Sequence, residues 1–188
     1  MTVKTDYSRF DIHDELTAPE GSVAILKSVS SAGGSVSKLI GLLAGSPAAL
    51  RAFARFRSEL RAGVLPELTR QRIALAVAER RGDAYSVAQH AKIARAAGLG
   101  LDEISLARSF SSSDPREAAL LAFLDATLAT DGRPDKHLQE EAREAGWSDE
   151  EILESLAHLA LNEFQSLVAS AAELPREATD PDVLPAAA

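Results

Sequence analysis

Residues 68–104, "LTRQRIALAVAERRGDAYSVAQHAKIARAAGLGLDEI", decide the fold. They read as two alanine-rich helices, expected over 69–81 and 84–97, with a third opening at 101. Gly82 and Gly98 follow the first two runs, where a left-handed residue is wanted to end a helix. No alternation of period two appears here or elsewhere, so no sheet is expected. The second helix opens with an acid, a hydroxyl and an imidazole: Asp83, Ser86 and His90. Spacings of three and four put all three on one helix face. That stripe runs on through Ile93 and Ala97, which predicts packed surroundings for His90.

The same grammar extends outward. Further helices are expected over 20–31, 36–44, 47–62, 101–110, 115–130, 135–145 and 149–172, giving an all-α fold. "DPRE" at 114–117 places Asp114 at an N-cap, Pro115 at the first helical position and Glu117 three residues after the cap. "SDEE" at 148–151 reads as a second capping box, from Ser148 to Glu151. Gly132 and Gly146 stop two more helices. "RAAGLGLDEI" (95–104) and "REAGWSDEEI" (143–152) align without gaps, 48 residues apart. A duplicated helical hairpin and convergent capping both account for this. The expected organisation is an extended arm over 1–18, a helical domain over 19–174, and a tail over 175–188 interrupted by Pro175, Pro181 and Pro185.

Composition narrows the function classes. The chain has 188 residues, a net charge of −8 and no cysteine. Length favours one domain with a substantial core. The negative charge argues against a nucleic-acid or anionic-membrane binder. The basic run of Arg51, Arg55, Arg57, Arg61, Arg70 and Arg72 reads as solvated helix faces or subunit contacts, because no aromatics are interleaved for base stacking. The N-terminal "MTVKTDYSRFDIHDE" lacks the apolar core of a signal peptide, and no apolar run approaches the ~20 residues of a membrane helix. A cytoplasmic protein is expected. Without thiols, disulfide chemistry and thiolate metal sites are excluded.

Residues 36–175 resemble the carboxymuconolactone decarboxylase family, in particular its alkyl hydroperoxidase D (AhpD)-like branch. The resemblance rests on "LAGSPAALRAF" (43–53), the stretch 68–104, "REAALLAFLDATL" (116–128) and "AREAGWSDEEILESLAHLALNEFQSLVA" (142–169). It implies an AhpD-like helical bundle assembled as a homotrimer or hexamer. In the peroxidase branch the motif is a Glu, then Cys-x-x-Cys at a helix start, then a His four residues on. Here the Cys positions hold Asp83 and Ser86, and the Glu position holds Gln71. His90 is retained, and Tyr85 stands between the two lost thiols. The resemblance therefore carries the fold, while thiol peroxidase chemistry is expected to be absent.

Each candidate site residue has a plain alternative. Asp83 sits where helix amides favour an anion and reads as an N-cap or as a site acid. Ser86 reads as a local hydrogen-bonding residue or a substrate contact. His90, within reach of Gln71 on the preceding antiparallel helix, is either a satisfied buried histidine or a general acid–base. Asp83, Ser86 and His90 are not a hydrolase triad: all lie on one helix, with the base at its end rather than between acid and nucleophile. His158, Asn162 and Gln165 make a second polar stripe, read as an interface or pocket lining. Trp147 is expected in the core and His13 and His137 at the surface, and the scattered histidines offer no metal site. Two functions follow. One is a cofactor-free acid–base enzyme on a small organic molecule, with His90 transferring the proton and Gln71, Ser86 and Tyr85 orienting a lactone- or carboxylate-type ligand. The other is a non-catalytic oligomeric binding or scaffold protein.

Overall fold

The computed structural model describes residues 8–31 and 36–174. The first seven residues of the expected arm and the expected tail from 175 onward lie outside the described residues. Among the described residues there are nine α-helices and no strand: α1 (Glu20–Ser31), α2 (Lys38–Leu43), α3 (Pro47–Arg61), α4 (Glu67–Arg80), α5 (Ala84–Ala96), α6 (Leu101–Ala107), α7 (Pro115–Ala129), α8 (Lys136–Glu144) and α9 (Asp149–Ala171). None of them is long and apolar enough to cross a membrane. The chain forms two compact units, one up to Ala62 and again from Leu167, the other from Gly63 to Ser166.

In the first unit α1 and α2 pack on α3, with Leu26, Leu39, Leu43, Leu50 and Phe53 buried. The buried Ser22 hydroxyl donates to Ala44 O at 2.7 Å. Residues 8–18 lie against this unit: His13 N donates to Gly41 O at 2.9 Å, and a Cβ at Gly41 would collide with the His13 carbonyl. His13, expected at the surface, is therefore half-buried.

The second unit is organised around α4. Every residue from Ile73 to Ala78 is buried, as expected of a helix that is apolar on all sides. Ile73, Ala76 and Val77 join a core with Leu120, Leu121 and Leu124 of α7, Ala142 of α8, and Ile152 and Leu159 of α9. Leu75 faces a second core with Ala94, Leu99, Ile104 and Ala107. Alanine at 74, 76 and 78 removes bulk between neighbours, and α5 doubles back along α4. α4 starts at Glu67, two residues earlier than expected, because Pro66 takes the N-cap position and Arg70 N bonds its carbonyl at 3.1 Å. α6 stops at Ala107 instead of 110. Phe110 turns to φ +52° and its ring is buried in the first core.

The 48-residue echo extends to the caps. Gly98 and Gly146 have φ of +97° and +99°, a region glycine enters without steric cost. Leu99 N reaches Ala94 O at 2.9 Å, and Trp147 N reaches Ala142 O at 3.1 Å, the six-to-one bond of a Schellman cap. Both Leu99 and Trp147 are buried. Trp147 also donates Nε1 to Arg116 O at 2.7 Å, and the Arg116 guanidinium lies 3.7 Å above its ring. The echoed acids then each take an arginine. Glu103 bonds Arg72 at 3.1 Å, and Glu151 bonds Arg116 at 3.0 Å. Ser148 and Glu151 form the expected reciprocal box.

Two sequence expectations fail at α4. Arg72, read as part of a solvated basic run, is 7% exposed. It reaches Glu103 and, at 3.6 Å, Glu117. Glu117, read as a capping partner of Asp114, instead points inward and accepts from the Thr69 hydroxyl at 2.7 Å. Asp114 still caps α7, accepting from Arg116 N. A buried cation draws carboxylates because an unpaired charge in the interior is far costlier than a paired one.

The two acids respond to burial differently. Burial pushes Glu117 up, and the Thr69 hydrogen bond and Arg72 only partly offset it. Burial also works against the charged form of Glu103, but hydrogen bonds from Ser113, Ser112 and Arg72 outweigh it and hold this carboxyl at about 2. A depressed folded-state value contributes stability that is complete above the ordinary value of 4.5 and lost as pH falls through about 2. Glu117 has the opposite sign, contributing below its ordinary range and losing that contribution as pH rises through its folded value. Denaturant unfolding of Glu103→Gln should therefore show a shallower loss of stability between pH 4.5 and 2 than the parent; equal slopes would remove Glu103 from the acid response.

Candidate functional site

The turn from α4 to α5 builds the site. Gly82 ends α4 at φ +64°, and Asp83 N donates back to Ala78 O at 2.9 Å. Asp83 is the N-cap of α5: Oδ1 accepts from Ser86 N at 3.1 Å. This is the capping contact that stabilises a helix start. Its other oxygen, Oδ2, is buried and has no hydrogen-bond partner. The residue is 4% exposed, so half of this carboxylate is spent on the helix and half sits in the interior unsatisfied. Tyr85 and Ser86 are buried beside it.

One turn and a little more along α5, His90 is half-buried. Its Nδ1 lies 3.0 Å from Gln71 Oε1 on α4. An amide oxygen only accepts, so Nδ1–H is the donor in this contact. Gln71 thereby orients the ring. The stripe does not stay packed as expected: Ile93 is 37% exposed, so this face of α5 turns to solvent beyond His90 while Ala94 stays buried on the other. The ring thus sits at the border between interior and water.

The α9 stripe is placed differently from its sequence reading. His158, Asn162 and Gln165 are 5%, 5% and 8% exposed in the single chain, so no second subunit is needed to cover them. Asn162 Nδ2 donates to His158 O at 2.8 Å, and Gln165 Nε2 donates to Asn162 Oδ1 at 3.1 Å. His158 Nε2 stands 3.7 Å from Glu154 Oε1. Glu154 was not singled out in the sequence. It accepts from Val64 N at 2.8 Å and Leu65 N at 3.0 Å, closing the loop ahead of α4. A Cβ at Gly63 would collide with its carboxylate, and that glycine is the only sequence signal of the clamp. Thr69, Glu103 and Glu117 were missed for a similar reason, since polar residues near helix ends look like caps. Among the described residues, no group of three or more acids and histidines is placed to hold a metal ion.

Residues 47–129, which span α3 to α7 and all five α4–α5 site residues, match the model of the carboxymuconolactone decarboxylase family. Solved structures extend the likeness to the rest of the chain. An AhpD-core, peroxidase-related protein from Ralstonia eutropha superposes with a TM-score of 0.78 at 22% identity, covering 93% of this chain and 94% of that one. A peroxidase-related protein from Silicibacter gives 0.80 at 19% identity, covering 96% and 97%. A debrominase, Bmp8, in complex with 2,3,4-tribromopyrrole gives 0.72 at 21% identity, covering 95% and 94%. At these identities the structures establish the AhpD-like fold alone. No curated protein sequence matches. The chain contains no cysteine.

The two readings of Asp83 separate by substitution. If Asp83 serves only as a cap, Asp83→Ala should cost about 0.5–2 kcal/mol. Asp83→Ser should then cost little or stabilise, because it keeps the cap acceptor and deletes the unsatisfied Oδ2. Thermal melting of the pair checks this. A Ser variant as unstable as the Ala variant would mean that Oδ2 has a role the cap does not explain.

Proposed function

We propose that this protein is a cofactor-free acid–base enzyme acting on a small lactone- or carboxylate-type organic molecule, with His90 as the proton-transfer group. The observation that carries the reading is the Nδ1–Gln71 Oε1 contact at 3.0 Å. It orients the half-buried imidazole against α4 at the border of the interior. Imidazole is the side chain best suited to taking up and giving back a proton in such a reaction. Ser86 and Tyr85 orient the substrate in this reading. As base, His90 removes a proton from a carbon next to a carbonyl and returns it elsewhere. In a decarboxylation, CO2 departs, its bonding pair stays on carbon, and the His90 imidazolium supplies the proton, which solvent then replaces. No thiolate exists to support peroxide reduction.

The test pairs activity with stability, using carboxymuconolactone and related lactone carboxylates and following CO2 release and deuterium uptake from D2O. His90→Gln should melt close to the parent and lose about 10²–10⁴-fold in turnover, with Gln71→Ala reducing turnover less. A His90→Gln protein that melts much lower yet turns over normally per folded molecule would make His90 structural. The second reading, a non-catalytic binding protein, is favoured by the cap geometry of Asp83 and gains if neither parent nor variant converts any substrate.

We also propose a homotrimer or a dimer of trimers. Phe56, Leu101, Leu106 and Leu167 leave large apolar side chains exposed on α3, α6 and α9, and such surface is commonly covered by another subunit. Light scattering at micromolar concentration should give three or six chains; a stable monomer would overturn this.

A further inference from the structure

A cavity of about 420 Å³ lies between the end of α7, the loop at 130–135, α8 and the first turns of α9. It falls within the size range of small-molecule sites, roughly 300–1,000 Å³. None of Gln71, Asp83, Tyr85, Ser86 or His90 lines it. Phe123 and Ile152, both buried members of the main core, and the half-buried Leu156 form its apolar wall. Leu153 stands at the lip and is 67% exposed, an unusual position for a large aliphatic side chain beside an open cavity.

The polar side of the cavity is basic, on a chain whose net charge is −8. Arg143, Arg133 and Lys136 face Asp149 and Asp135 there. Arg143 is committed to Asp149 at 2.6 Å. Arg133 and Lys136 make no ion pair with any described residue, whereas Arg72, Arg80, Arg81, Arg108 and Arg116 are each held by a carboxylate. Two uncommitted cations, opposed by Asp135 alone, therefore stand over a pocket walled by Phe, Ile and Leu. Apolar surface and adjoining positive charge together select a ligand with a hydrocarbon body and an anionic head.

We propose that this cavity is a second ligand site, separate from His90, that binds an amphipathic organic monocarboxylate of medium chain length or with a single ring. The body covers Leu153 and Leu156 and displaces water from Phe123 and Ile152. The carboxylate takes charge-assisted hydrogen bonds from Arg133 and Lys136.

Isothermal titration calorimetry of the full chain with octanoate, octanol and octylamine tests the site. Octanoate should bind saturably, one per chain, and more tightly than octanol or octylamine. The double variant Arg133→Gln/Lys136→Gln should weaken octanoate by about tenfold or more, and Leu153→Gln should weaken both octanoate and octanol. All three positions are exposed or at the rim, so these variants should melt like the parent. His90→Gln should bind octanoate as the parent does, whatever its turnover. Absence of saturable binding, octylamine binding as tightly as octanoate, or affinity unchanged in the double variant would each overturn the proposal. So would loss of octanoate binding in His90→Gln, which would assign the ligand to the other site.

Discussion

A cation sits on a helix buried on nearly all sides, and much of the second unit is arranged to accommodate it. α4 presents apolar residues to two cores at once, and Arg72 lies on its buried side rather than with the exposed Glu67 or half-exposed Arg70 near its start. The guanidinium is instead met by Glu103 and Glu117, and these bring in Thr69, Ser112 and the Ser113 amide. One charge thus ties α4 to α6, to the segment after it and to α7. Interior ion pairs add little net stability over apolar packing, but they penalise misregistration, because a shift would strand a charge. Gln71, the residue just before Arg72, stands beside this arrangement on α4.

The α4–α5 turn shows how one backbone frame can serve different chemistry. A helix N-terminus offers unpaired amides and a positive field. A thiol placed there is pushed toward thiolate, while an aspartate simply accepts the amide hydrogen bond, as Asp83 does from Ser86. At Gln71 an amide supplies an acceptor for the imidazole without a charge. His90 is half-buried and held against α4 by Gln71.

The echo between the α5–α6 and α8–α9 corners has a physical content beyond sequence identity. In both, a left-handed glycine ends a helix, a large apolar residue is buried directly after it, and an acid in the next helix takes an arginine from elsewhere in the unit. The contexts differ, however. Arg72 is buried, whereas Arg116 lies over the Trp147 ring nearer to solvent. The α8–α9 corner also borders the open cavity and carries the uncommitted cations.

Much of this architecture was legible in the sequence because its signals are local. Glycine stops, proline starts, the Ser148–Glu151 box and the Asp83 and Asp114 caps depend on a few adjacent residues, and the helices formed where those signals stood. The facing of Gln71 and His90 was legible too, since a tight glycine turn brings consecutive helices together. What sequence could not decide was the fate of polar side chains whose partners lie far along the chain. Arg72 looks like its exposed neighbours in the basic run, Glu117 like a capping acid, Glu154 like any surface glutamate, and His158, Asn162 and Gln165 like an interface stripe. Only tertiary packing settles these, because burial removes water as an alternative partner and forces each group toward whatever donor or acceptor another helix supplies. Helix ends are written in the chain, but the pairing of buried charge is decided by which helices meet.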